Sequence, residues 1–231
     1  MLIRVIPAVN TLYGETIFAK RNPHLTEICY IDGKTASSLH EHNALATILA
    51  AENPPRLSMH DLTQAIIHKE LWNEAVTNNV DYTIAQDNAV LHQDFVAQSN
   101  QILKNLPPAW DIILWGWMFD SILHVDLLAD LKRCLIYSDK FSLAQRHEEF
   151  QQSKSTGIAL RLQNALGIFA YTISSSGAAK LMQLCFPLAA HTVELPGLDK
   201  PLDNTRLDIE MNRHYELINA YVCCSPLAIF S

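Results

Sequence analysis

Residues 82–91 read YTIAQDNAVL, a short apolar strand running into Gln86-Asp87-Asn88, one carboxylate between two side-chain amides. Oxygens of all three are the hard ligands that Mg²⁺ or Mn²⁺ takes, and the amides can also hydrogen-bond a ribose or a diphosphate. The same residues suit an Asx turn closing a strand, so a ligand site and a plain turn both stand open. His68 and Trp72 are four residues apart in a helix-patterned stretch and share a face. His68 reads either as a pocket residue or as a core histidine bonded to backbone; Trp72 reads as core. Trp115-Gly116-Trp117 follows an apolar run, and if the strand continues, both indoles share a face on which a hexose could stack. Core packing is the competing reading for at least one of them. Arg206 and Arg213 are either partners for diphosphate oxygens or solvated surface.

The elements that must position these residues alternate between strand and helix patterns. LIRVI (2–6) and TEICYI (26–31) read as strands, Asp32-Gly33 as a turn, and 35–52 as a helix ended by Pro54-Pro55. Apolar residues at helical spacing over 61–78 predict a second helix, followed by the strand 82–85. Asp94 is the expected cap of a helix over 95–106, and WDIILWGW (110–117) is the most strand-like run. RCLIYS (133–138) reads as a strand and the polar stretch 145–156 as a mobile surface loop. GIFAYTIS (167–174) reads as a strand, with Ser175 or Ser176 capping a helix over 177–186. AYVCCS reads as a last strand. The pattern predicts an α/β fold with a mostly parallel central sheet flanked by helices, one domain over 1–231, irregular from about 187.

Composition narrows the function classes. With 231 residues, 49% apolar and 18% charged, the chain can bury a sizeable core. A net charge of −7 without a long basic run argues against nucleic acid as a partner. The most apolar stretch, 112–129, is broken by Asp120, His124 and Asp126, so no transmembrane span is expected, and the N-terminus reads as a strand, not a signal peptide. Five Cys, with no C-x-x-C, are expected as reduced thiols in or near the core. Neither a G-x-G-x-x-G nor a P-loop is present, and a hydrolase reading lacks its G-x-S-x-G elbow.

Several segments, taken in order, resemble glycosyltransferase family 25, the bacterial lipopolysaccharide and lipooligosaccharide glycosyltransferases. They are YIDGK (30–34), LSMHDLTQAIIHKELW (57–72), YTIAQDNAVL, WDIIL (110–114), GIFAYTISSSGAAKL (167–181) and, more faintly, TRLDIE (205–210). In the second, Leu57-Ser58, Asp61, His68 and Trp72 match, whereas Gln64 and Ile67 stand where Cys and Ser are usual. The resemblance implies a GT-A-like nucleotide-sugar fold, a UDP-sugar donor with galactose as the expected sugar, and a lipid-linked oligosaccharide acceptor. It also implies a cytoplasmic enzyme associated peripherally with the inner membrane.

Its site residues carry over as expectations. Asp87, Gln86, Asn88 and His68 bind the donor; Asp87 and Asn88 hold a divalent Mn or Mg ion; Trp115 and Trp117 face the acceptor. Asp208, with Asp203 as competitor, is the base that takes the acceptor hydroxyl's proton. One departure matters: the family's Glu-Asp-Asp reads Gln86-Asp87-Asn88 here. Changing a carboxylate to an amide near a 2+ ion forfeits roughly 8 kcal/mol of gross Coulomb energy at about 4 Å and a dielectric of about 20, before desolvation offsets much of it. The alternative is therefore a catalytically impaired relative that serves as a binding or assembly partner.

Overall fold

The computed structural model of the chain describes residues 1–7, 14–31, 47–119, 122–127, 134–137, 146–154 and 156–230. Aliphatic runs form the strands β1 (Ile3–Ile6) and, after helix α1 (Gly14–Arg21), β2 (Ile28–Tyr30). Both the expected turn at Asp32-Gly33 and most of the expected helix 35–52 lie outside the described residues. Helix α2 (Met59–Asn78) starts at Ser58, whose hydroxyl accepts from Asp61 N at 3.1 Å. It ends at Asn79, which adopts φ 51° and returns its N–H to the carbonyls of Ala75 and Val76. β3 (Tyr82–Gln86) turns through Asp87-Asn88 into β4 (Ala89–Leu91), and α3 (Phe95–Asn105) leads to β5 (Ile112–Leu114). Asp94 precedes α3 without a side-chain cap bond.

The second half contributes β6 (Ile122–Asp126), β7 (Cys134–Tyr137), α4 (His147–Gln151), β8 (Ile158–Asn164), β9 (Ala170–Ile173) and α5 (Ser175–Cys185). The hairpin strands β10 (Thr192–Val193) and β11 (Leu202–Asp203) follow, then α6 (Leu207–Met211), β12 (Ala220–Cys224) and β13 (Ala228–Phe230). The stretch expected as a mobile loop thus holds a short helix. Its anchors are Phe150, packed edge-on to His92 at 5.9 Å, and Gln151, which donates to the carbonyls of Arg21 and Leu91. The cap of α5 is Ser174, one residue earlier than expected, accepting from Gly177 N at 3.0 Å. Gly177 is required there, because a Cβ would stand 2.1 Å from the Asp111 carbonyl oxygen.

Among the described residues nine strands make one sheet in the order β2-β1-β3-β9-β5-β12-β8-β6-β7. β1, β2, β3, β5, β6 and β12 run one way, whereas β7, β8 and β9 run against them, so the sheet is mixed. β9 lies antiparallel between β3 and β5, with Ile84 opposite Tyr171 and Ile113 opposite Thr172. Side-chain alternation splits the core: Ile112 and Leu114 face the α2 and α5 side, Ile113 the other. α2 packs against α5. No helix among the described residues is long and apolar enough to cross a membrane. All five cysteines are free, and Cys29, expected near the core, is exposed.

Candidate functional site

The parallel strands β1 and β3 end, and β9 begins, beneath an open cleft of about 260 Å³. Crevices at the carboxyl ends of strands are where α/β sheets hold ligands. One wall is the start of α2, which presents Asp61, Gln64 and His68 at i, i+3 and i+7, hence on one face. The facing wall is Arg206 and Asp208, where α6 begins. Gln86 and the irregular run 167–169 complete the floor, and Phe230 stands at the rim.

Asp208 is buried and its carboxylate accepts three hydrogen bonds from two partners. Arg206 grips it bidentately, Nε to Oδ1 and a terminal nitrogen to Oδ2, both at 3.0 Å, and Gly167 N donates to Oδ2 at 2.8 Å. Gly167 adopts φ +91°, where L side chains are strained, and a Cβ there would lie 2.7 Å from the Met118 side chain. Gly167→Ala is therefore expected to lower stability by about 2 kcal/mol or more and to loosen Asp208. Urea unfolding checks this; an unchanged midpoint would refute it.

His68 is fully buried. Its Nδ1 lies 2.7 Å from the Tyr171 hydroxyl, which also accepts from Trp72 Nε1 at 2.8 Å, while Nε2 is buried with no partner among the described residues. Burial pushes the imidazole down to about 3 from 6.5, so it is neutral at physiological pH. The unfolded chain accepts this proton below about pH 6.5 and the folded chain refuses it, so stability falls as pH drops from 6.5 toward 3. The slope is about 1.4 kcal/mol per pH unit. Between about pH 6.5 and 4.5 the native chain should lose roughly 2–3 kcal/mol more than His68→Gln, read by urea unfolding; parallel losses would contradict it.

The other expected residues are scattered. Asp87 and Asn88 form the two-residue turn between β3 and β4; the Asp87 N–H donates to the Ile6 carbonyl at 3.0 Å, and the residue is only 5% exposed. Gln86 borders the cleft but Asp87 is not among its lining residues. The Asn88 Oδ1 is buried without a hydrogen-bond partner among the described residues. Asp203 is exposed on the β10–β11 hairpin, outside the cleft. Arg213 pairs with Glu210 at 2.9 Å and is not at the cleft either.

Trp115 and Trp117 require correction, since neither offers a face to a sugar. Trp115 is 0% exposed, packs edge-on to Phe95 and donates to the Thr172 hydroxyl; Trp117 is 3% exposed beside Phe119. The strand stops at Leu114, so the two indoles enter opposite core layers. The exposed aromatic at the cleft is Phe230, 42% accessible. The antiparallel register of β13 on β4 puts it opposite Ala89, next to the Asp87-Asn88 turn, and its ring meets Phe169 edge-on at 5.9 Å.

Asp61 and Gln64 escaped the sequence assignment although their spacing from His68 signalled them. Phe230 gave no such signal, because only the strand pairing brings it to the rim. Asp61 is half-buried, with its carboxylate bonded to the Ser58 hydroxyl. Among the described residues no group of three or more His, Cys, Asp or Glu converges as a metal site.

A comparison with solved structures aligns UDP-glucose phosphorylase from Trypanosoma brucei at 9% identity and a TM-score of 0.34, covering 96% of this chain and 60% of that one. The chain thus spans less than two thirds of that protein's length. Among curated proteins none matches. The family model described as "Glycosyltransferase family 25 (LPS biosynthesis protein)" matches residues 16–194, a segment that carries α2, the β3–β4 turn and the Gly167 floor. With that match spanning well over half of its 231 residues, the chain belongs to glycosyltransferase family 25.

Proposed function

We propose that the chain transfers galactose from UDP-galactose to a hydroxyl of a lipooligosaccharide acceptor, in a GT-A-like domain working at the cytoplasmic face of the inner membrane. The carrying observation is the cleft over the strand ends, which gathers Asp208, Arg206, Asp61 and a neutral His68 around one space. Within it Arg206 supplies positive charge suited to a diphosphate, and Asp208 is the base for the acceptor hydroxyl. Phe230 replaces the two tryptophans as the apolar surface on which the acceptor sugar rests.

Asp87 and Asn88 fit a divalent ion in chemical type: a carboxylate beside an amide oxygen that lacks a partner among the described residues. These two would hold Mn²⁺ or Mg²⁺, which when bound neutralises the charge that develops on the departing diphosphate. Only one of them is a carboxylate, so the donor's phosphates must complete the ligand set and metal and donor should bind together.

Isothermal titration with UDP and UDP-galactose, with and without Mn²⁺, tests the reading. Binding in the micromolar to millimolar range, strengthened by Mn²⁺, is expected; no binding at millimolar concentration would overturn it. The 5% exposure of Asp87 and the three bonds already made by Asp208 favour a second reading, an impaired relative that binds sugar nucleotide without turnover. Slow donor hydrolysis by the native chain separates the two, since only the enzyme performs it.

A further inference from the structure

Behind the cleft wall the direction of a hydrogen-bond chain is set by what each group can do. Trp72 Nε1 can only donate, so the Tyr171 oxygen accepts from it at 2.8 Å. The Tyr171 oxygen also lies 2.7 Å from His68 Nδ1. Two proton arrangements fit that contact. If Nδ1 carried the ring proton, Tyr171 would accept twice, its own proton would have no partner, and Nε2 would be a bare buried acceptor. If Tyr171 instead donates to Nδ1, the indole, the phenol and Nδ1 are all paired and, among the described residues, only an Nε2–H is left unmet. The second arrangement leaves fewer buried polar groups without partners and is favoured for that reason.

Neither partner escapes by changing charge. Burial holds Tyr171 above the usual phenol range and His68 far below the usual imidazole range, so both stay neutral at physiological pH. The unmet Nε2–H therefore belongs to a ring fixed in place, on the wall that also presents Asp61 and Gln64 and opposite Arg206. A group that can only donate matches a partner that can only accept. Ionised phosphate oxygens have that character, whereas sugar hydroxyls do both.

Resting on the glycosyltransferase reading of the cleft, we propose that His68 is a tautomer-locked donor whose Nε2–H binds a phosphate oxygen of the sugar nucleotide, with Tyr171 and Trp72 as its positioning residues. Gln64 and His68 then act as neutral contacts along one helix face, and His68 serves neither as the proton-abstracting base nor as a metal ligand, since its ring nitrogens are one acceptor already used and one N–H.

Long-range ¹⁵N–¹H correlation spectra of the native chain at neutral pH should show the Nε2–H tautomer at His68, and Tyr171→Phe should admit the second tautomer. Titration with UDP should show roughly ten-fold weaker binding for His68→Leu but a loss within about three-fold for His68→Gln, whose amide nitrogen can take the place of Nε2. A predominant Nδ1–H tautomer in the native chain overturns the proposal, as does unchanged UDP affinity in His68→Leu. Should His68→Leu not fold, the native spectrum and the UDP affinity of Tyr171→Phe, expected several-fold weaker, decide it. A native chain with the Nε2–H tautomer that binds no UDP sinks the sugar-nucleotide reading and the phosphate contact with it, while the locked ring stands.

Discussion

Asp208→Asn is expected to lower the rate of sugar transfer by about 10²–10⁴-fold while Asp203→Asn stays within about two-fold of the native rate, because a positioned base supplies acceleration of that order. The two carboxylates looked alike in sequence, yet one is enclosed in the cleft wall and the other lies exposed on a hairpin. Asn keeps the shape of the side chain and one oxygen able to accept the Gly167 N–H, so a loss of rate without a comparable loss of stability isolates the charge. Arg206 complicates the chemistry in an informative way. Its two contacts at 3.0 Å engage both carboxylate oxygens of Asp208, and a base must present a lone pair to the acceptor hydroxyl. The acceptor must therefore approach an oxygen that already has a partner, or Arg206 must shift toward the donor. Transfer rates of the two variants, measured beside thermal unfolding, check the assignment. Native-like transfer by Asp208→Asn would move the role to Asp61, the other carboxylate among the described residues lining the cleft, which an Asp61→Asn variant then tests.

The sequence made much of the architecture legible, for identifiable reasons. Apolar runs such as IRVI and YTIA have no alternative but burial, and the helix over 61–78 carried apolar periodicity, so it appears as α2 (Met59–Asn78). Strand direction was not legible. The antiparallel course of β9 depends on pairing Thr83 with Thr172 and Ile113 with the same Thr172, contacts far apart in sequence. The tryptophan platform failed because period-two reasoning assumed a strand beyond Leu114. Instead, β13 folds back over this segment: the Trp115 carbonyl accepts from Leu227 N and Ala228 N, and a Cβ on Gly116 would lie 2.1 Å from the Ala228 oxygen.

The site divides in the same way. The relation of His68 to Asp61 lay in the spacing, because a helix fixes it locally, seven residues being about two turns, although only His68 was assigned to a site. Arg206 with Asp208, and Phe230, reach the cleft through tertiary contacts that no spacing encodes. Asp87 and Asn88 form a turn, as one of the two readings had it, but a turn placed beside the cleft, with Gln86 at the end of β3 on its floor. A turn and a ligand site are compatible there, which is why composition could not separate them.

Asp87→Asn distinguishes the two roles, because asparagine forms an Asx turn as readily as aspartate but carries no charge. If Asp87 serves only the turn, Asn should preserve stability and leave UDP affinity unchanged both with and without Mn²⁺. If it anchors a cation beside the diphosphate, removing the last carboxylate of Gln86-Asp87-Asn88 leaves three neutral oxygens around a 2+ ion. The gross Coulomb loss of roughly 8 kcal/mol at about 4 Å and a dielectric of about 20 is mostly offset by desolvation, but ten- to hundred-fold in affinity is about 1.4–2.8 kcal/mol and falls well inside the remainder. The expected result is UDP binding weakened at least ten-fold in the presence of Mn²⁺ and unchanged in its absence, read by isothermal titration. The burial of Asp87 sharpens the comparison: it is 5% exposed, and the Oδ1 of its sequence neighbour Asn88 is also buried, without a hydrogen-bond partner among the described residues. Asn88→Ala should then weaken the Mn²⁺-dependent component in the same direction, by less, because an amide oxygen contributes a dipole where Asp87 contributes a charge. An Mn²⁺ effect untouched by both substitutions would leave these residues a strand-closing turn and place the donor's charge neutralisation on Arg206.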